Sequence, residues 1–582
     1  MQKVTSFLCK MMPCVQICFI VVWLSNLAMT DAFISVYALI AFGAFYLLTS
    51  KRESTGFPFR WKNAWIDVLA FLFSAGVLLA NYPLFTTIGD PAVIGRSTSI
   101  LMNCINTVFT LTGGFFVFRT IFVWFYSSFP KKLSTFPTEI NKLLPIAVFF
   151  SIALINMVHL FLVEFPGNVT EDPFTQISEI VAGSYSNFNT FWHTSLLRIV
   201  LFTGYNLFSD VNYAIGFFCA IQSLLMAFAF TYCLITMLYY GVPKIVVAIS
   251  YMIFAFVPYN IALSITIWKD VLYAGGCLLM ISSWLRIYKN LGRHLIFDYI
   301  VFVFGSLLFL LSRTNGWIVY LVFALCNLLF VRNNKKLLAT MAFFSVIGWF
   351  LLNPALSMLN VQDSDPVESF SVPIQQVSRV IAQGKELTVE EEQLLSRVID
   401  LEDVPDLYTE WLSDPMKVEF RSKDYDFLCS HLGDFGRLWL NLGLRYPTVY
   451  VVAWVEQTKG YWNAGYDVAL YSETVTENPY GVVKSSSGNV ISALFGLYFG
   501  LSRHIIFFEP LHSIGLHVWI MLLCFLLNIV RKREEWVLAL PSLLIVIGLC
   551  FGTPVYYCFR YVYPLFVSIP LIVSTALFQP ES

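Results

Sequence analysis

An all-α polytopic membrane protein is the fold class this sequence predicts, on two observations. The 582-residue chain is 58% hydrophobic and 13% charged, where a soluble protein carries roughly a quarter charged residues. Its apolar residues also gather into long runs, and a run of roughly 17 to 25 residues crosses the hydrocarbon core as a helix. The runs lack the period-two alternation of strands, so strands are not expected.

About fourteen runs qualify as transmembrane helices. They cover 12–29, 32–49, 64–82, 98–126, 143–163, 211–239, 245–267, 271–288, 297–312, 317–331, 337–355, 513–530, 536–553 and 556–578. The first follows the basic start Met1 to Lys10 and meets no small-residue cleavage site before Asp31. It reads as a signal anchor that stays in place. Basic residues recur at alternate ends of the spans: Lys51-Arg52, Lys131-Lys132, Lys244, Arg286 with Lys289 and Arg293, Arg332 with Lys335-Lys336, and Arg531-Lys532-Arg533. The positive-inside rule assigns these loops and both termini to the cytoplasm of a cell membrane. The loops 83–97, 164–210, 268–270, 313–316, 356–512 and 554–555 then lie outside.

Two outer loops are long. Loop 164–210 contains His193-Thr-Ser-Leu-Leu-Arg-Ile-Val-Leu-Phe-Thr203, which is amphipathic and suits a helix lying at the interface. Residues 356–488 alone have soluble-domain composition, and Thr388 followed by Glu391 marks the start of a helix there. The organisation expected is 1–140, N-terminal transmembrane helices; 141–355, a membrane core with outer loop 164–210; and 356–488, an extracytoplasmic, mainly helical domain inserted before the last three spans. Residues 489–582 then supply an interfacial segment and the closing helices. A net charge of −1 and the lack of a basic patch argue against nucleic acid as a partner. Eleven of the twelve cysteines lie in or beside apolar runs, and no Cys/His spacing resembles a zinc site.

With so few charges, those that converge on one face carry the functional reading. Asp172, with Glu171 beside it, lies just past a span in a segment turned by Pro166-Gly167 and stiffened by Pro173. A carboxylate there can take a proton from a hydroxyl, bind a cation, or mark a solvated loop end. Lys269 and Asp270 sit in a loop of almost no length, where they either anchor a helical hairpin or serve a lipid head group. Arg313, in Leu311-Ser-Arg-Thr-Asn-Gly-Trp317, and Arg560, in Tyr556-Tyr-Cys-Phe-Arg-Tyr-Val-Tyr-Pro564, need anionic partners near the hydrocarbon boundary. Gln375, Gln376 and Arg379 suit sugar hydroxyls or a capped surface helix. Tyr461 and Trp462 suit a pyranose face or the membrane surface. His193 suits a hydrogen-bonded interfacial histidine or a substrate contact. Two carboxylates, Asp172 and Asp270, make a weak metal site.

The stretch Phe165-Pro-Gly-Asn-Val-Thr-Glu-Asp-Pro-Phe-Thr-Gln176, followed by Tyr185-Ser-Asn and Trp192-His-Thr-Ser195, resembles the first outer loop of GT-C superfamily membrane glycosyltransferases. It is most similar to an uncharacterised branch from Gram-positive bacteria. Lys269-Asp270, the Arg-x-Asn-Gly of Arg313 to Gly316, and Arg560-Tyr561 with its trailing prolines also resemble that branch. Asn189-Thr190 stands where the branch has His-Pro.

The resemblance implies a transferase that moves a hexosyl or pentosyl group from a polyprenyl-phosphate donor to a cell-envelope glycan or lipid acceptor, with inversion. Asp172 would be the base, with Glu171 its neighbour and Asp270 its assistant. Lys269, Arg313, Asn315, Arg560 and Tyr561 would meet the donor's phosphate and sugar. Some relatives use a divalent cation and others do not, so the cofactor stays open. A polytopic lipid or solute transporter, or a flippase, has the same composition. Transporters place charges near the midplane, in broken helices of repeated halves, and no repeat is evident here.

Overall fold

The computed structural model describes residues 64–81, 97–128, 131–133, 140–291, 294–463, 475–485, 488–502, 509–555 and 558–580. The runs expected at 12–29 and 32–49 lie outside these residues. The protein is an all-α membrane protein. Among the described residues, seven helices are long and apolar enough to cross a membrane: Leu143–Leu162, Val211–Tyr239, Lys269–Lys289, Leu295–Ser312, Lys335–Met358, Glu534–Phe551 and Phe559–Leu577. Shorter apolar helices form at Ala64–Ala80, Gly316–Phe330, Val490–Ser502 and Ile514–Val530.

In chain order the helices used below are α1 (Ala64–Asn81), α2 (Ser97–Ser128), α3 (Leu143–Leu162), α4 (Glu171–Ala182), α5 (Phe191–Phe208), α6 (Val211–Tyr239), α7 (Lys244–Phe256) and α8 (Pro258–Ser264). They continue as α9 (Lys269–Lys289), α10 (Leu295–Ser312), α11 (Gly316–Phe330), α12 (Lys335–Leu352), α13 (Ser371–Ala382), α14 (Val389–Ser396), α15 (Leu432–Arg445) and α16 (Pro447–Trp462). The last four are α17 (Val490–Ser502), α18 (Ile514–Val530), α19 (Leu540–Phe551) and α20 (Phe559–Leu577).

Helix α9 is the axis of the bundle, buried from Asp270 to Ile287 and packed by α6, α10 and α20. At its far end Arg286 is buried. It pairs with Asp298 at 3.3 Å, donates to Thr236 Oγ1 at 2.6 Å and lies 3.9 Å from the Tyr232 ring centroid. This contact binds α6, α9 and α10 together, and it fixes the depth at which the opposite end of α9 presents Lys269 and Asp270.

Two expectations change. The run 245–267 is not one straight helix. It divides into α7 and α8, bent by 51° at Val257, because Pro258 has no N–H for the preceding turn and its ring crowds the backbone before it. Two three-residue strands also form, Lys131–Leu133 (β1) and Phe578–Pro580 (β2), paired in parallel. They follow α2 and α20 in the chain, and their pairing satisfies each other's backbone groups.

Residues 367–450 build a second core, with Val380, Leu395, Val398, Ile399 and Leu442 at its centre. Helix α14 starts with the expected capping box: Thr388 Oγ1 accepts from Glu391 N, and Glu391 Oε2 accepts from Thr388 N at 2.9 Å. Helix α16 leaves this domain and docks on the bundle. Trp454 Nε1 donates to Cys550 O at 2.8 Å, and Trp519 Nε1 donates to Trp462 O at 2.7 Å. The domain also contains a cavity of about 300 Å³.

Candidate active site

The segment before α4 is fastened to the turn before α9. Asn168 N donates to Ile265 O and Ile267 N donates to Asn168 O, each at 3.0 Å, and Asn168 Nδ2 donates to Thr266 Oγ1 at 3.1 Å. Gly167 adopts φ 114°, and a Cβ there would stand 2.9 Å from Ile265 O and overlap Cys219 Sγ. Only glycine fits both the backbone angle and the close approach. Thr170 Oγ1 accepts from Trp268 Nε1 at 2.8 Å and does not cap α4. Asp172 is thus carried in the first turn of α4, where the helix dipole favours an anion.

One turn later, buried Gln176 ties α4 to α5. Its Nε2 lies 3.2 Å from Asn189 O, 3.0 Å from His193 Nδ1 and 2.8 Å from Thr194 Oγ1. Thr190, the N-cap of α5, has φ 65°. A β-branched residue in the left-handed region carries strain of about 1–3 kcal/mol. That turn places Asn189, whose Oδ1 accepts from Lys269 Nζ at 2.9 Å.

The charged groups then meet. Arg560 Nη1, at the start of α20, donates to Asp172 Oδ2 at 2.8 Å across 388 positions of sequence. Arg313, between α10 and α11, pairs with Asp270 on α9. Both guanidiniums face Tyr561, at 5.0 Å for Arg560 and 4.5 Å for Arg313, and Arg560 also lies 5.0 Å from the Trp268 ring. Arg560 Nη2 donates to Tyr561 Oη at 3.2 Å. Lys269, Arg313 and Arg560 therefore surround two carboxylates, which leaves one positive charge in excess. Asp270 is closed off, with its side chain 2% exposed, whereas Asp172 is 32% exposed.

Burial by itself would raise the Asp172 pKa. The Arg560 guanidinium, then Lys269 and Arg313, outweigh burial and hold the carboxyl below its usual value. Burial, reinforced by Lys269 and opposed by Asp270, pushes His193 down to about 3, so its ring is neutral. Among the described residues, His193 Nε2, Asn189 Nδ2, Asp270 Oδ2, Tyr273 Oη and Asn315 Oδ1 are buried with no hydrogen-bond partner. No group of three or more His, Cys, Asp or Glu among those residues is placed to hold a metal ion.

Asp172, Lys269, Asp270, Arg313, Arg560 and Tyr561 form one cluster, and His193 adjoins it through Lys269 and Asp270. Glu171 turns to solvent. Gln375 and Gln376 are inside the second core. Gln375 Nε2 donates to Thr409 O at 2.5 Å, and Gln376 bridges Tyr450 O at 3.2 Å and Trp439 Nε1 at 2.8 Å. Their amides serve backbone and indole groups inside the domain, with Gln375 Oε1 buried and unpartnered among the described residues. Tyr461 is fully buried, its hydroxyl donating to Val555 O at 2.5 Å. Trp462 stacks on Trp454 at 6.2 Å. Both are packing residues of α16. Gln176, Asn189 and Trp268 are supports that residue type alone did not mark. The signal for Trp268 was its position beside Lys269-Asp270, and for Gln176 its spacing one turn beyond Asp172.

Fold and site together describe a polytopic helical membrane protein with a charged cluster at the end of the bundle where α9 and α20 begin. Residues 183–581 match the model of DUF6020, a family of unknown function. That is more than half of the chain, so the chain belongs to this family. The match takes in Lys269, Asp270, Arg313 and Arg560, while Asp172 lies just before it. No curated protein and no solved structure matches the chain.

Proposed function

We propose that the chain is a membrane glycosyltransferase that moves a sugar from a polyprenyl-phosphate donor to an extracytoplasmic acceptor of the cell envelope. The observation that carries this reading is the Asp172–Arg560 contact, set among Lys269, Arg313 and the rings of Trp268 and Tyr561. A partly exposed acid beside an excess of cations suits a reaction whose leaving group is a phosphate. The unpartnered buried polar atoms suit a hydroxyl-rich ligand, since each costs about 1–3 kcal/mol if left unsatisfied. In this reading about fourteen spans cross the membrane, both termini are cytoplasmic, and the domain 356–488 stands outside with the site.

At rest Asp172 is a poor base, because Arg560 stabilises its charged form. A donor phosphate entering beside Arg560 competes for that guanidinium, and Asp172 is released with its affinity for a proton restored. The acceptor hydroxyl then attacks the anomeric carbon, its proton passes to Asp172, and the bond from that carbon to the phosphate oxygen breaks. The electron pair leaves on the phosphate, which Arg560, Arg313 and Lys269 stabilise. One displacement inverts the anomeric centre. Asp270, closed off and paired, orients Arg313.

The bend between α7 and α8 favours a second reading, transport through a broken helix. However, Gln222 Nε2 reaches Ser264 O at 3.1 Å and Thr266 O at 2.7 Å, and Asn260 Nδ2 donates to Ile253 O at 2.9 Å. Carbonyls satisfied in this way do not line an ion path, so the transferase reading is preferred. The test is mass spectrometry of cell-envelope glycans from cells making the wild-type chain or Asp172→Asn at equal levels. A glycan lost in the variant is expected; identical glycans would remove Asp172 as the base.

A further inference from the structure

The cavity in the second core is unrelated to the cluster around Asp172 and is chemically its opposite. It lies among α13, α14 and α15, and its walls include Val377, Leu395, Leu428, Gly436, Leu438 and Trp439. Among the described residues every side chain lining it is apolar. The indole N–H of Trp439 already donates to Gln376 Oε1. A sugar, phosphate or peptide group entering would lose water and gain no partner. The pocket is partly open, so water reaches it but meets no polar wall to bond to, and hydrocarbon displaces such water favourably. What fits is hydrocarbon. At about 300 Å³ the space is twice that of an engineered cavity that takes one benzene, and holds roughly ten methylene-sized groups. That is most of an acyl chain but a small part of a long polyprenyl tail.

The surroundings point to the bilayer as the source. Helix α15 lines the cavity with one face and exposes Leu440 and Leu444 on another, at 55% and 82%. Helix α16 follows, exposes Val451 at 51%, and then docks on the bundle through Trp454 and Trp462. Exposed aliphatic side chains therefore run along both helices that join the cavity to the membrane helices. We propose that this cavity takes the terminal part of an acyl chain from a membrane lipid. The proposal stands apart from the reading of Asp172 and survives if that reading fails.

The test uses the full chain in lipid nanodiscs containing phosphatidylglycerol with a diazirine at the end of one acyl chain. After irradiation, adducts are mapped by peptide mass spectrometry. Adducts are expected on peptides spanning 374–377 or 432–439. A Cβ at Gly436 meets no atom within 4 Å, so Gly436→Phe has room to fill the cavity. It should reduce those adducts by roughly tenfold or more, with bundle adducts unchanged. Val377→Phe fills the space from α13 and should do the same. The proposal is overturned if wild-type adducts fall on the bundle alone, if both filled variants label as strongly as wild type, or if a polyprenyl-phosphate probe labels the cavity and the acyl probe does not.

Discussion

A chain with glutamine in place of Arg560 is expected to keep its fold and to lose transfer by roughly 100-fold or more, the usual loss when a charge-stabilising donor is removed. The fold survives because Asp172 is 32% exposed, so its carboxylate finds water when the guanidinium is gone. Transfer does not, because the phosphate loses the cation that stands nearest the base. The variant also changes the pH dependence. In the wild type Arg560 is the largest influence holding Asp172 below its usual pKa against burial. Without it burial is opposed only by Lys269 and Arg313, so the pKa rises. Residual kcat/KM, which reports the enzyme before the donor displaces Arg560, should therefore fall away on the acid side at higher pH than in the wild type. Linkage runs the same way. The ion pair supports the folded wild type above the unfolded carboxyl value of about 4 and is lost as pH falls through the depressed folded value. The variant should lack that acid-side loss. Initial rates at limiting donor and melting temperature across pH measure both effects, and an unshifted acid limb in kcat/KM would separate Asp172 from the reaction.

Arg313→Met should have the opposite character. Asp270 is 2% exposed and its Oδ2 already has no partner among the described residues. Removing the guanidinium leaves a buried carboxylate alone, which costs about 3–5 kcal/mol. Thermal unfolding in detergent should show a large drop in midpoint, larger than that of Arg560→Gln. The double variant Arg313→Met with Asp270→Leu removes both charges and should recover most of the loss. If the single variant melts with wild type, the pair is not the buried contact it is taken to be. The contrast between the two arginines is physical: one holds an acid that must be released, the other an acid that must stay closed.

Several parts of this architecture were legible in the sequence because the membrane penalises alternatives. An apolar run of about twenty residues has few options beyond a helix, and 211–239 reads as a helix over the range Val211–Tyr239. Thr388 and Glu391 announce their capping box because the spacing has one local use. Charges are costly in such a chain, so Asp172, Lys269, Asp270, Arg313 and Arg560 stood out and do lie together. Which acid pairs with which base was not legible, because Asp172 and Arg560 are 388 positions apart and their meeting depends on how α4 and α20 pack. Face was also hidden. Gln375 and Gln376 are polar residues of an amphipathic helix, and nothing in their types says that both amides turn inward to Thr409 and Tyr450. Tyr461 and Trp462 have the chemistry of a sugar platform and the positions of packing residues. Pro258 did carry its signal, but an apolar run long enough to span masked the break.

The most direct test is the reaction of a cysteine at position 172 with a membrane-impermeant maleimide in intact cells, scored against the parent chain. Asp172→Cys should label from outside, and added polyprenyl phosphate should slow the labelling by occupying the cations beside it. Labelling that appears only after the membrane is permeabilised would place position 172 in the cytoplasm and contradict an extracytoplasmic transferase.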